Sequence, residues 1–117
     1  MNVVGVHHVS IGVQDVDAAV DFYALLGLYP LPRPDFGFPG AWLQAGTQQV
    51  HLLQTSMVAP GAENHYAFQV EDLGACVAHL AEHGVPARIS TTVTGAGRQA
   101  FIKDPSGNVV ELNQPDI

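Results

Sequence analysis

Apolar side chains first settle into a period of two at Val9, Ile11 and Val13, with His8, Ser10 and Gly12 between them. That alternation predicts a strand with one buried face. The period then lengthens. Val16, Val20 and Phe22/Tyr23 fall on one side of a helix whose first-turn amides Asp15 can cap, and Gly27 supplies the left-handed residue that ends it. Short extended pieces are predicted next, at 28–31, 41–45 and 49–54. They are separated by the Pro/Gly-rich PRPDFGFPG and by a turn at Gly46-Thr47.

The same grammar is then written again. A shift of 57 positions lays His8 on His65, Val13 on Val70, Asp15 on Asp72, Ala18 on Ala75, Val20 on Val77 and Gly27 on Gly84, with no gap. Tyr66, Phe68 and Val70 alternate as a strand, and Leu73, Val77 and Leu80 make a helical stripe that Gly84 closes. Three extended pieces follow at 87–91, 99–103 and 108–113, broken by TGAG and by the hairpin turn DPSG. The prediction is α+β, strand, helix and three strands twice over, in one domain spanning 1–117. Its repeats cover about 1–56 and 61–117, joined by a polar connector at 55–64.

Strand parity then separates the histidines. If Val9, Ile11 and Val13 face the core, His7 shares their side and belongs near the core edge, while His8 faces the other way. By the same test His65 opposes Tyr66 and Phe68. His51, between Val50 and Leu52, and Glu111, between Val110 and Leu112, also take the non-core face of their strands. Four such donors at matching positions of two repeats can converge on one point. Imidazole and carboxylate are ordinary ligands of divalent metals at about 2.0–2.2 Å. His79 and His83 have helical i, i+4 spacing but lie off the apolar stripe with no HExxH motif, as expected of a solvated helix face.

Composition narrows the function classes. Four Lys+Arg against eleven Asp+Glu give a net charge of −7, which repels nucleic-acid backbones and anionic lipid surfaces. No apolar run reaches the length of a bilayer span, and MNVVGVHHV does not read as a secretory signal. A cytoplasmic setting is the expectation. The lone Cys76 is expected to be a small buried apolar side chain rather than half of a disulfide.

The stretches HHVSIGVQDVDAAVDFYALLGL, GAWLQAGTQQVHLLQ, NHYAFQVEDL and AFIKDPSGNVVEL together resemble the vicinal oxygen chelate superfamily. That group holds glyoxalase I, methylmalonyl-CoA epimerase, extradiol dioxygenases, fosfomycin-resistance transferases and bleomycin-binding proteins. The resemblance covers essentially the whole chain. It implies two βαβββ modules forming a cupped mixed sheet around one divalent metal (Zn, Ni, Co, Mn or Fe). It carries the ligand positions onto His8, His51, His65 and Glu111, with Glu111 the one carboxylate that a catalytic base role can fall to. It further implies a small oxygen-rich substrate, lyase, isomerase or transferase chemistry, and a homodimer. His51 stands where glyoxalase I has a glutamate base, which makes that activity and the epimerase less apt. A fosfomycin-type thiol transferase, an extradiol-type dioxygenase and a bleomycin-resistance-like binding protein are the alternatives.

Substrate contacts are expected from Arg33 in the proline-rich linker, from Arg98 in the GAGR loop and from Trp42, with Phe36 and Phe38 near it. For the arginines a role as plain surface charge stands beside this one, and for Trp42 a role in the core.

Overall fold

The structure, a computed structural model, describes residues 1–2, 4–57, 64–92 and 94–116. Positions 58–63 of the expected connector lie outside the described residues. The chain divides into two compact units, Met1–Ala59 and Pro60–Ile117.

In the first unit β1 (His8–Val13) leads through α1 (Val16–Leu25) to β2 (Tyr29–Leu31), β3 (Gly40–Ala45) and β4 (Gln48–Gln54). The strands form one sheet in the order β1-β4-β3-β2, with β1 parallel to β4 and the remaining pairs antiparallel. The second unit repeats the plan. Its elements are β5 (His65–Gln69), α2 (Leu73–Glu82), β6 (Arg88–Ile89), β7 (Arg98–Lys103) and β8 (Val109–Gln114), in the order β5-β8-β7-β6. The two four-stranded mixed sheets with one helix each are the α+β arrangement that the periodicity predicts. Among the described residues no helix is long and apolar enough to cross a membrane.

Each sheet is buried on one face. Ile11, Val13, Leu43, Val50 and Leu52 close the first core against Ala19, Phe22 and Tyr23 of α1. The buried helical stripe is thus Ala19, Phe22 and Tyr23, an i, i+3, i+4 set, and Val16 and Val20 flank it half-buried. Ala100, Ile102, Val110 and Leu112 pack with Leu73 and Leu80 in the second core. There Tyr66, Phe68, Val70, Val77 and Cys76 are only half-buried, so Cys76 is not the enclosed side chain the sequence suggests. Burial nevertheless raises its thiol pKa, with the Asp72 carboxylate adding to the effect.

Both helices start as expected. The Asp15 side chain accepts from the Ala18 amide at 3.0 Å and Asp72 from the Ala75 amide at 3.0 Å. Gly27 and Gly84 follow the helices with φ of +88° and +77°. Asp15→Ala and Asp72→Ala are each expected to lower stability by about 1 kcal/mol, by stripping an acceptor from a first-turn amide. Urea unfolding of the two variants reads this, and a loss indistinguishable from zero in both contradicts it.

Candidate functional site

The face of each sheet turned away from its helix carries the polar side chains singled out by parity. In the first unit the register sets Ser10 beside His51 and His51 opposite Trp42 across β1, β4 and β3. The His51 imidazole lies between two rings: Trp42 at 4.4 Å with an interplanar angle of 7°, and His8 at 3.9 Å and 17°. This packing leaves His51 only 7% exposed. Burial first, then the charges of His8, His7 and Arg33, hold its pKa below the usual imidazole value. The neutral ring donates from Nε2 to Oε1 of Gln49 at 2.9 Å, so its other nitrogen keeps a lone pair. Trp42 therefore belongs to the open face and not to the core.

The aromatic row continues outward. Phe36 lies 6.0 Å from Trp42 and 6.1 Å from Phe38, and the Arg33 guanidinium sits 4.9 Å and 5.1 Å from those two phenyl rings. Arg33 donates from Nη1 to the Phe38 carbonyl at 3.2 Å, while its Nε and Nη2 are buried with no partner among the described residues. Gly40 makes room for it: a Cβ there would stand 2.8 Å from Nη2 and 2.5 Å from the Leu52 carbonyl oxygen. A cavity of about 450 Å³ borders Arg33 and also exposes Asp15 and Asp17 on its wall.

The second unit centres on Glu111. Its carboxylate is buried, at 5% residue exposure, yet satisfied on both oxygens. His65 donates from Nε2 to Oε1 at 3.0 Å, and Gln99 and Asn113 donate their side-chain amides to Oε2 at 3.1 and 2.9 Å. Burial pushes the Glu111 pKa up. The hydrogen bonds from Asn113, Gln99 and His65, with the His65 charge, outweigh it and leave the pKa below the usual glutamate value. Phe101 stands opposite Glu111 as Trp42 stands opposite His51, and lies 5.7 Å from the His65 ring. The Arg88 guanidinium covers Phe101 at 4.8 Å.

The four donors thus occur as two pairs, His8 with His51 and His65 with Glu111. Among the described residues no group of three or more His, Cys, Asp or Glu is arranged to hold a metal ion. Two sequence expectations are corrected here. His7 is exposed and precedes β1; it is no core-edge residue, although its Nδ1 meets Nδ1 of His8 at 2.9 Å. Arg98 is not a loop residue but opens β7 opposite Gln114, which gives it the parity of Ala100 and Ile102, away from Glu111. His79 on α2 and His83 at its C-cap are exposed, as the sequence suggests, with His83 Nδ1 donating to the His79 carbonyl at 2.9 Å. Gln49, Gln99, Asn113 and Arg88 were not singled out from sequence. Their parity with His51, Glu111 and Phe101 is the signal that finds the first three.

Solved structures share this architecture. The FosX fosfomycin resistance protein from Listeria monocytogenes aligns with a TM-score of 0.88 at 16% identity, over 99% of this chain and 94% of its own. One FosX structure, an E126Q mutant, is described as a complex with Mn(II) and 1S,2S-dihydroxypropylphosphonic acid. TnmS3, an antibiotic binding protein from Streptomyces sp. CB03234, aligns at 0.79 and 29% identity over 99% of both chains. Among curated proteins, the glyoxalase domain-containing protein RDO1 of Mycosarcoma maydis is 27% identical over 127 residues, covering 97% of this chain and 69% of RDO1. The fold is glyoxalase-like. A family model matches residues 5–112, and the chain belongs to the Glyoxalase/Bleomycin resistance protein/Dioxygenase superfamily.

Proposed function

We propose that this chain is a divalent-metal-dependent enzyme acting on a small oxygen-rich organic molecule by lyase, isomerase or transferase chemistry, with His8, His51, His65 and Glu111 as its metal donors. The observation that carries the reading is the Glu111 environment. A buried carboxylate is held ionised by two amides and an imidazole, with no Lys or Arg among its partners in the described residues. Such a group is suited to a cation. The donor chemistry fits Zn, Ni, Co, Mn or Fe, since three imidazoles and a carboxylate are the nitrogen and oxygen ligands these ions take. Mn(II) in a FosX structure of the same fold adds general support. A bound ion supplies Lewis acidity toward neighbouring oxygens of a substrate.

The chain's own residues do the rest. Gln99 and Asn113 fix Oε2 of Glu111 and turn Oε1 toward His65. Those bonds lower the basicity of the carboxylate, so it holds a cation better than it takes a proton, and a base role requires its release from both amides. Arg33, which borders a cavity of about 450 Å³, meets a negatively charged part of the substrate, and Trp42 stacks on an apolar part. Arg98 has no part in this, given its facing. A homodimer in the cytoplasm belongs to the same proposal, and its mass in solution reads the dimer directly.

The test is metal content. Wild-type protein from metal-supplemented cells is expected to retain a divalent metal through gel filtration, and His8→Ala to lose it. Metal-free wild type overturns the reading. A second reading, a binding protein without metal chemistry, has one specific observation in its favour: the stacked His8, His51 and Trp42 rings in a chain 29% identical to an antibiotic binding protein. Trp42 is the sole tryptophan. Its fluorescence, quenched by a flat aromatic ligand in protein that holds no metal, would select this reading.

A further inference from the structure

Basic residues are scarce in this chain, four Lys+Arg against eleven Asp+Glu. Two of the four, Arg88 and Lys103, nevertheless line a single cavity of about 530 Å³ in the second unit. Its wall is otherwise Pro86, Ala87, Phe101, Ile102 and Val109, with no acidic residue. In a protein of net charge −7, that local excess of positive charge runs against the whole molecule's field.

The register explains how the cations meet. Arg88 pairs with Phe101 between β6 and β7, and Lys103 pairs with Val109 between β7 and β8. Residues 101 and 103 share parity, so Phe101, Lys103 and their partners Arg88 and Val109 lie on the open face that carries Glu111. The phenyl ring of Phe101 holds the guanidinium at 4.8 Å, an arrangement that orients its planar donor edge without consuming its hydrogen bonds. No Asp or Glu lies within ion-pair distance of Arg88 or Lys103 among the described residues.

We propose that this cavity binds a small organic anion, with a carboxylate or phosphonate head between Arg88 and Lys103 and an apolar body against Phe101, Val109 and Pro86. Two cations without counter-ions on an apolar floor match that chemistry. The inference rests on the functional reading above for the cavity's use as a substrate site, because Phe101 borders both the cavity and His65. The binding of the anion itself uses no metal donor. It names the substrate class that the metal donors leave open.

Phenylphosphonate is the probe, and benzyl alcohol its uncharged counterpart, titrated into the full chain by NMR before and after dialysis against a chelator. Phenylphosphonate is expected to saturate and to shift the backbone amides of Arg88, Phe101 and Lys103 in both samples, with benzyl alcohol binding at least roughly tenfold more weakly. Arg88→Gln and Lys103→Gln are each expected to weaken phenylphosphonate roughly tenfold, with the metal content and the remainder of the spectrum unchanged. Equal affinity in the variants, equal affinity for the alcohol, or no saturation at millimolar probe overturns the proposal. A protein without metal that still binds phenylphosphonate at these residues upholds this inference while the metal reading falls. A metal-containing protein that ignores the probe does the reverse.

Discussion

Glu111→Ala is expected to cost the protein the divalent metal proposed for it, by more than the roughly 10–100-fold that loss of an outer partner of a ligand costs. The carboxylate is the only charged ligand in the proposed set, and it accepts from three side chains at once, of which Asn113 also donates to the Ala96 carbonyl at 3.0 Å. Without it, the amides of Gln99 and Asn113 and the His65 Nε2 face one another in a largely buried place. That is also expected to cost about 1–3 kcal/mol of stability. Glu111→Gln separates the two effects. It keeps the volume and one oxygen acceptor but brings an NH₂ against a site built of donors, so it should lose the metal with a smaller loss of stability. Competition against a chromophoric chelator reads the first effect and urea unfolding the second. Wild-type metal affinity in a folded Glu111→Gln protein would remove Glu111 from the ligand set.

Acid acts on the same groups. Glu111 titrates below the ordinary glutamate value of 4.5 in the folded protein, so its stabilising contribution is present above that value and is lost as pH falls through the folded pKa. His51 titrates below 6.5 because it is buried, and the unfolded chain again binds the proton more readily. Both therefore make stability rise with pH, His51 from below 6.5 and Glu111 at more acid values.

The repeat, the caps and the facing of His8, His51, His65 and Glu111 were legible because each depends on a period or a fixed local offset. Asp15 and Asp72 needed only the sequence on either side of them to be read as caps. What surrounds Glu111 was harder to see. Gln99 and Asn113 are unremarkable strand amides until the β7–β8 register puts residue 99 opposite 113 and residue 101 opposite 111. Arg88 sits in a strand of two residues, too short to show a period. Arg98 misled for the opposite reason. It reads as the end of a glycine-rich loop, yet pairing with Gln114 extends β7 by one residue and imposes strand parity on it. His7 misled likewise: the β1–β4 pairing begins at His8 with Gln49, and one residue earlier there is no ladder to face either way.

Asp104→Ala is expected to be the most damaging change away from the donors themselves, at about 3 kcal/mol, near 10 °C in melting temperature for a chain of this length. Asp104 is 5% exposed and organises the turn between β7 and β8. Its Oδ1 accepts from the amides of Ser106 at 2.9 Å and Asn108 at 2.8 Å, and its Oδ2 from the Asn108 side chain at 2.8 Å. Its own backbone closes the turn through Gly107 N to Asp104 O at 2.9 Å and Asp104 N to Asn108 O at 3.0 Å. Alanine leaves the Asn108 amide and side chain buried without these acceptors. Asp104→Asn keeps one oxygen but sets an NH₂ against a donor, and should fall between alanine and wild type. Thermal melts and urea unfolding of both variants give the order, and a loss under about 1 kcal/mol for alanine would show that the backbone bonds alone hold the turn. The consequence reaches the site because this turn sets the register that places Lys103 beside Val109 and Phe101 beside Glu111. A slip of one residue would turn Glu111 to the core face and carry Phe101 and Lys103 away from it, so the carboxylate, its amide partners and the cationic cavity all depend on that turn.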